Sequence, residues 1–482
     1  MPRKTRAQQE MGDFQTPFQL AKAVCERLRF HGLAPSSVVE PTCGLGSFLG
    51  AAAEAFPDAG RLVGLELRED YLAEAARTMQ GEIANGRLSL RREDLFVVDW
   101  ARLLGDLPQP VLVLGNPPWV TSAALGRLGS SNLPPKVNSE GLRGLEAMTG
   151  RSNFDISEWL LLRLLEGLAP LEGAALAMLV KTSVARRVLR HAFRRGLPFG
   201  EAHLFGLDTS AEFGASVDAA LLFLLRGGDL ASPCCVRWRG LDSTSPDGRI
   251  AWVDGLLVAD REAYEGAREL RASEPQGWRS GVKHDCVKVL ELRREGDALR
   301  NGMGEPVDVE DEVLYPLLKS SDLGRGVKRV RRWLLLTQRS MGEPPELLRE
   351  RAPRAWAYLD GHRALLSRRK SSIYKGRPPF AIFGIGGYSF IEWKVAVSGL
   401  YKRPRFVAVG PEGTRPVLFD DTVYFRPCSG EAEALHLEEL LNGPGAAKYF
   451  EALLFPDAKR PVTMALLDGL DLGALRSAKM PR

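Results

Sequence analysis

Four consecutive residues carry the most specific chemistry in the chain. They are Asn116-Pro117-Pro118-Trp119, directly after the apolar run 111–114. An exocyclic amine has two N–H donors and a lone pair delocalised into its ring. The Asn116 side-chain oxygen and the Pro117 carbonyl can accept one hydrogen bond each. Two such bonds draw the nitrogen towards tetrahedral geometry and free its lone pair. Pro117 and Pro118 fix the backbone, so the acceptors are preorganised. Trp119 offers a flat face on which a base taken out of a duplex can stack. The chemistry is attack by an amine, and it needs no strong general base.

A second group of residues describes what would supply the electrophile. Val38-Val39-Glu40-Pro41-Thr42-Cys43-Gly44-Leu45-Gly46-Ser47-Phe48 reads as a strand feeding a Gly-x-Gly turn. A dinucleotide site would use GxGxxG, with pyrophosphate on the helix start. Here the third glycine is missing, and Glu40 at the strand end would repel a phosphate. A cationic ligand without phosphate suits the loop better, and S-adenosylmethionine is one. Glu66 ends the next strand, where a carboxylate can accept both ribose hydroxyls of a nucleoside. Asp94-Leu95-Phe96 follows the third, where a carboxylate can accept an adenine amino group while apolar side chains cover the ring. Three acids at three successive strand ends form a coherent nucleoside site.

These motifs resemble the amino-methylating DNA methyltransferases, in particular the gamma-ordered, TaqI-like adenine-N6 class. The matching segments are Gly12-Asp13-Phe14-Gln15-Thr16-Pro17, EPTCGLGSF at 40–48, Glu66, Asp94-Leu95-Phe96 and NPPW at 116–119, in the family's order. The resemblance implies a Rossmann-like, class I fold that binds S-adenosylmethionine, followed by a target-recognition domain. It implies that Gln15, Thr16 and Pro17 form the lip over the methionine end of the cofactor. Thr42 and Gly44 would line the back of that site, Glu66 would hold the ribose, and Asp94 and Leu95 the adenine, with Glu40, Gly46 and Asn116 also among the expected cofactor contacts. Glu212-Phe213-Gly214-Ala215-Ser216-Val217 looks like the segment whose aromatic packs against a flipped base, a role that passes to Phe213. Cytosine-N4 enzymes more often carry Ser at the position of Asn116, so the resemblance favours adenine and keeps cytosine as the alternative.

Elements must hold these residues in place. Leu20, Val24 and Leu28 at helical spacing predict a helix over 17–33. The pattern continues with strands near 38–39, 62–66, 87–90, 111–114 and 174–180. Helices are expected over 49–56, 70–79 and 156–168. Strands alternating with helices imply a parallel, doubly wound sheet with ligands at its carboxyl edge. The segment 120–154 is rich in Gly, Ser, Asn and Pro and reads as a long functional loop. Composition changes again around 227–250, which places a catalytic domain over 1–230 and a target-recognition domain of α+β character over 231–482.

Length and charge bound the function. The 482 residues are too many for one ordinary domain. The net charge is +5. Residues 1–230 hold 25 basic and 26 acidic residues, and 231–482 hold 40 and 34, so the excess lies in the second half. Two runs concentrate it: Arg325, Lys328, Arg329, Arg331 and Arg332; and Arg363, Arg368, Arg369, Lys370, Lys375 and Arg377. With Lys402 and Arg403 these are the expected contacts to DNA phosphates and base edges, Arg368, Arg369, Lys370, Lys375 and Arg377 foremost. Tyr388, Phe390, Trp393 and Lys394 form a second candidate surface. Six scattered cysteines, at 25, 43, 234, 235, 286 and 428, suggest neither zinc nor a disulfide framework.

The expectation is therefore a sequence-specific, S-adenosylmethionine-dependent adenine-N6 methyltransferase acting on double-stranded DNA. A restriction-modification or phage-defence setting is expected, with a cognate endonuclease as a candidate partner. A monomer in the cytoplasm of a bacterium or archaeon, near the nucleoid, is expected, with neither membrane nor metal involved. About 15 residues precede the cofactor motifs, too few for an N-terminal nuclease domain. The competing readings are a cytosine-N4 enzyme, an RNA or protein-glutamine methyltransferase, and a silent DNA-binding specificity subunit.

Overall fold

The computed structural model describes residues 15–120, 155–213, 218–296, 298–326 and 330–479. The features expected at Gly12, Asp13 and Phe14, in 121–154 and at 214–217 lie outside the described residues, as do Lys328 and Arg329. The chain divides into two compact units, 1–261 and 262–482.

The first unit runs α1 (Phe18–Phe30), β1 (Ser37–Glu40), α2 (Ser47–Ala55), β2 (Arg61–Glu66), α3 (Glu69–Thr78), α4 (Gln80–Ala84), β3 (Leu88–Arg92), α5 (Trp100–Gly105) and β4 (Val111–Gly115). After the undescribed segment come α6 (Ile156–Leu168), β5 (Ala175–Lys181), α7 (Thr182–Arg194), β6 (Glu201–Leu207), α8 (Thr209–Phe213), β7 (Ala219–Leu225), β8 (Cys234–Trp238), β9 (Gly248–Val253) and β10 (Leu256–Val258). The strands form one sheet, ordered β10-β9-β8-β6-β7-β5-β4-β1-β2-β3. Five neighbours, β3-β2-β1-β4-β5, are parallel. Every residue of β1 and β4 is buried; β4 reads as an unbroken apolar run, while β1 sets Val38 and Val39 between the buried polar residues Ser37 and Glu40. This is a Rossmann-like architecture, followed along the chain by a second unit.

Local chemistry sets the element ends. Gly46 sits at φ +84° directly before α2, a left-handed turn that glycine adopts without strain. Glu69 and Asp70 open α3, where carboxylates complement the positive end of the helix dipole. The Asp155 side chain caps α6 by accepting the Ser157 N–H.

Two features differ from the sequence expectation. The sheet is mixed rather than wholly parallel: β7 lies antiparallel between β5 and β6. A short connection of eleven residues, 208–218, joins β6 to β7. An antiparallel return needs no long crossover, whereas a parallel one does. The boundary at residue 230 also lies inside the first unit, because β8 pairs with β6 and carries β9 and β10 onto the same sheet. The polar stretch 227–250 holds β8, the first residues of β9 and the loops that flank them.

The second unit combines helices with two sheets. One has four strands, Arg279–Ser280, Val423–Cys428, Trp393–Ser398 and Phe406–Val409, all antiparallel. The other has six among the described residues, where Leu314–Leu318 pairs in parallel with Leu418–Phe419 and the remaining pairs are antiparallel. Phe380 and Ile382 are core residues in an irregular segment between turns. Among the described residues no helix is long and apolar enough to cross a membrane.

Candidate active site

The carboxyl ends of β1, β2, β3 and β4 open on one cleft, where β1 and β4 part at the switch point of the strand order. Its empty volume is about 950 Å³, open to solvent. Of the residues expected from sequence, Gln15, Thr16, Glu40, Thr42, Gly44, Glu66, Asp94, Leu95, Asn116 and Pro118 line it.

Backbone geometry makes the cradle. Gly44 has φ +50°, and a Cβ there would lie 2.7 Å from Gln15 Oε1. The Gln15 side chain in turn accepts the Leu45 N–H at 3.3 Å. Glu66 is locked by three backbone donors. Its Oε2 accepts the Gly44 N–H at 3.0 Å, and its Oε1 accepts Leu67 and Arg68 N–H, each at 2.9 Å. Oε2 carries one of these bonds and keeps acceptor capacity. Asp94 is fixed by a turn in which its Oδ1 accepts the Phe96 N–H at 3.0 Å.

Glu40 is the unusual member. It is 3% exposed, and its Oε2 is buried without a hydrogen-bond partner among the described residues. Burial pushes its carboxyl well above the usual carboxylate range; the Leu49 N–H opposes this and the nearby Glu66 carboxylate adds to it. Burial likewise raises the Cys43 thiol beside it. A buried carboxylate with spare acceptor capacity is compensated by a bound cation and penalised by a bound phosphate. The donor set therefore fits S-adenosylmethionine: carboxylates for its hydroxyls, amine and positive charge, and a glycine cradle for close approach.

Asn116 follows β4 directly. Its Nδ2 donates to Thr16 Oγ1 at 3.2 Å, which turns the amide so that Oδ1 is the acceptor presented elsewhere. Thr16 is itself 9% exposed and lines the cleft. The cofactor cradle and the amine acceptor thus share a side chain.

Other expected residues are nearby and do not line the cleft. Pro117 is a buried residue of the Asn116–Trp119 turn itself, Pro17 is an exposed residue before α1, and Gly46 faces Ala75. Trp119 departs from the role expected of it. The residue is 7% exposed, its Nε1 donates to the Leu179 carbonyl at 3.1 Å, and Phe213 meets its ring edge-on at 5.5 Å. Burying a large ring with its N–H satisfied is favourable, so the flat face expected for base stacking belongs to the core.

Sequence reasoning missed several lining residues. Arg68 lies over the Tyr71 ring at 3.7 Å, beside Glu66. A Tyr in the first turn of the helix after the acidic strand end was the available signal. Val120 and Ile156 also line the cleft. They are neighbours only because the Ile156 N–H donates to the Val120 carbonyl at 3.0 Å, which no local pattern announces.

In the second unit Arg368, Lys370, Lys375, Arg377, Lys402 and Arg403 are exposed. Arg369 is not a surface cation. Its guanidinium stacks on Tyr374 at 3.8 Å and donates to the carbonyls of Leu366, Ala381 and Pro379 at 2.7–2.9 Å. Lys394 is 1% exposed and donates to the Val417 carbonyl at 2.7 Å, so it too serves the fold. Among the described residues no group of His, Cys, Asp and Glu is arranged to hold a metal ion.

No family model matches this chain. The type II methyltransferase M.NspV of Nostoc sp. is 41% identical over 470 residues, 97% of each chain. The type IIL restriction-modification enzyme MmeI, solved in complex with DNA, is similar in fold. It aligns with 93% of this chain at a TM-score of 0.55 and 13% identity, and this chain spans 64% of that enzyme's length. A type I restriction-modification methyltransferase subunit from Streptococcus thermophilus aligns with 47% of the chain and 48% of its own, at 19% identity and a TM-score of 0.33.

Proposed function

The chain belongs to the type II methyltransferases, and from that premise we propose that it methylates the exocyclic amine of a base in double-stranded DNA, adenine N6 before cytosine N4. S-adenosylmethionine is the methyl donor. When bound, it supplies a methyl group on a sulfonium, an electrophile strong enough to need no acid catalyst.

The chain's own residues do the rest. Glu66 and Asp94 orient the nucleoside, Glu40 meets positive charge, and the Gly44 backbone gives close approach. Asn116 Oδ1 and the Pro117 carbonyl accept the two N–H groups of the target amine, which concentrates its lone pair on nitrogen. Thr16 keeps the Asn116 amide in that orientation. The product amine then sheds its extra proton to solvent. A base must leave the duplex to reach these acceptors. With the Trp119 ring buried, Phe213 remains the candidate to pack against it, in the first unit beside Trp119. The catalytic half carries no excess of positive charge. Arg368, Lys370, Lys375, Arg377, Lys402 and Arg403 of the second unit are proposed as DNA contacts, and that unit as the target-recognition domain. A restriction-modification setting is supported by the family, and a cognate endonuclease is the partner we propose for it.

One observation carries this reading: a preorganised amide acceptor, Asn116, on the wall of a phosphate-averse nucleoside cleft. The test is to sequence plasmid DNA from cells expressing the protein by a method that reports modified bases. N6-methyladenine at one short motif is expected, with activity reduced by about 10²-fold or more in Asn116→Ala, the scale for losing one preorganised acceptor or donor. N4-methylcytosine would move the target to the alternative base. Unmodified DNA from a folded, cofactor-bound protein would sink the proposal.

A further inference from the structure

The strand beside the amine-binding turn holds a charged pair that the catalytic reading does not use. Lys181, the last residue of β5, sends its ammonium to two acceptors. One is Asp155 Oδ2 at 2.7 Å, and the other is the backbone carbonyl of Trp119 at 2.9 Å. Asp155 is 4% exposed and the Lys181 side chain 21%. The other Asp155 oxygen accepts from Ser157 Oγ at 2.6 Å and from the Ser157 N–H at 3.3 Å. Helix α6 therefore fixes Asp155, Asp155 fixes Lys181, and Lys181 fixes Trp119.

We propose that Lys181 is a positioning residue for the amine-binding turn: held by Asp155, its ammonium pins the Trp119 carbonyl and thereby sets where Asn116 and Pro117 present their acceptors. The inference rests on the amino-methyltransferase reading above. Three further contacts fit it. The Trp119 ring is tied through Nε1 to the Leu179 carbonyl, so β5 grips this residue by both its ring and its backbone. The next carbonyl, of Val120, accepts the Ile156 N–H at 3.0 Å. At the other end of the turn Asn116 is held by Thr16 at 3.2 Å. The turn is thus clamped at both ends by different elements, and the charged clamp is the stronger kind, since a hydrogen bond from an ammonium is roughly twice as strong as a neutral one. A bare fold-stabilising ion pair would not need to reach a carbonyl three residues after the catalytic amide. A displacement of about 1 Å at reacting groups can cost on the order of 10²-fold in rate.

The test uses the full-length protein with S-adenosylmethionine and duplex DNA containing its target. In Lys181→Met, kcat should fall by about 10- to 100-fold. Cofactor Kd and the KM for DNA should stay within about threefold of wild type, because neither binding site is built by Lys181. Lys181→Arg can still reach both acceptors and should recover most of the rate. Lys181→Met leaves Asp155 buried without its counter-charge and could fail to fold. The double variant Lys181→Met/Asp155→Ser removes both charges and keeps a hydroxyl to cap α6. It should fold and still be slow, because the Trp119 carbonyl has lost its donor. A merely structural pair would give the opposite result: a lowered melting temperature, a restored rate in the double variant, and no preference for Arg over Met. Either that pattern, or a Lys181→Met kcat within twofold of wild type, overturns the proposal. A wild-type protein that methylates no DNA would instead overturn the functional reading. The positioning claim is then decided by crystal structures, in which the double variant should move the Trp119 carbonyl and Asn116 by about 1 Å, and an unmoved turn refutes it.

Discussion

Thr16→Val isolates the hydrogen bond that joins the two halves of the active site. Valine matches threonine in shape and removes only the hydroxyl, so the cleft wall keeps its volume. What is lost is the acceptor for Asn116 Nδ2, 3.2 Å away in a site where Thr16 is 9% exposed. A neutral hydrogen bond of this kind contributes about 0.5–1.5 kcal/mol net. If it acts wholly by presenting Asn116 Oδ1 to the target amine, its loss raises the barrier by that amount, a rate decrease of roughly 2- to 13-fold. The assay is single-turnover transfer of labelled methyl to target DNA at saturating cofactor, with cofactor affinity measured separately by calorimetry. Thr16→Ser retains the hydroxyl and should stay near wild type. The reasoning fails if Thr16→Val transfers methyl at the wild-type rate. It fails equally if Thr16→Ser is as slow as Thr16→Val, since the effect would then be steric. A loss that appears wholly in cofactor affinity would reduce Thr16 to a lip residue, the role its place in the sequence motif implies.

Two further outcomes separate surface cations from structural ones. Lys375→Ala should lower the slope of log affinity for DNA against log salt by about one and leave melting unchanged. Arg369→Ala should instead destabilise the second unit by about 3 kcal/mol, about 1 kcal/mol for each of its three short bonds to carbonyls. Urea denaturation reads that cost, and a stable Arg369→Ala with a reduced salt slope would reverse the assignment. Lys394 gives a pH dependence: burial pushes its ammonium down to about 7 from 10.5. Between those values the unfolded chain holds a proton that the folded one has released, so stability should rise with pH across that window. Lys394→Met should flatten the profile, with its largest relative gain below pH 7. Denaturation curves that are parallel for both proteins over that range would refute a buried, titrating lysine.

Much of the site was legible in the linear order of residues because its parts are local. Glu40, Glu66, Asp94 and Asn116 each sit at or just past a strand end, and a strand end can be read from an apolar run and the turn that stops it. In a parallel sheet such ends fall on one edge, so four positions spread over 77 residues could be assigned to one cleft before any contact was known. The helix at Ile156–Leu168 was legible from its apolar spacing, while the capping role of Asp155 came only with the structure.

What stayed hidden depends on contacts between residues far apart in the chain. The antiparallel β7 inside the sheet and the extension β8–β10 follow from pairing, and apolar runs look alike in either direction. Charge runs gave no sign that Arg369 lies against carbonyls while Arg368 and Lys370 face solvent, because burial is a property of the packed surface. The sequence by itself determined which groups could accept an amine and hold a nucleoside, since that is a matter of residue type and strand order. Tertiary structure decided how rigidly they are held. Thr16 on Asn116, and Asp155 through Lys181 on Trp119, act across 100 and 62 residues of chain, and a hydrogen bond depends on position in space rather than on separation in sequence.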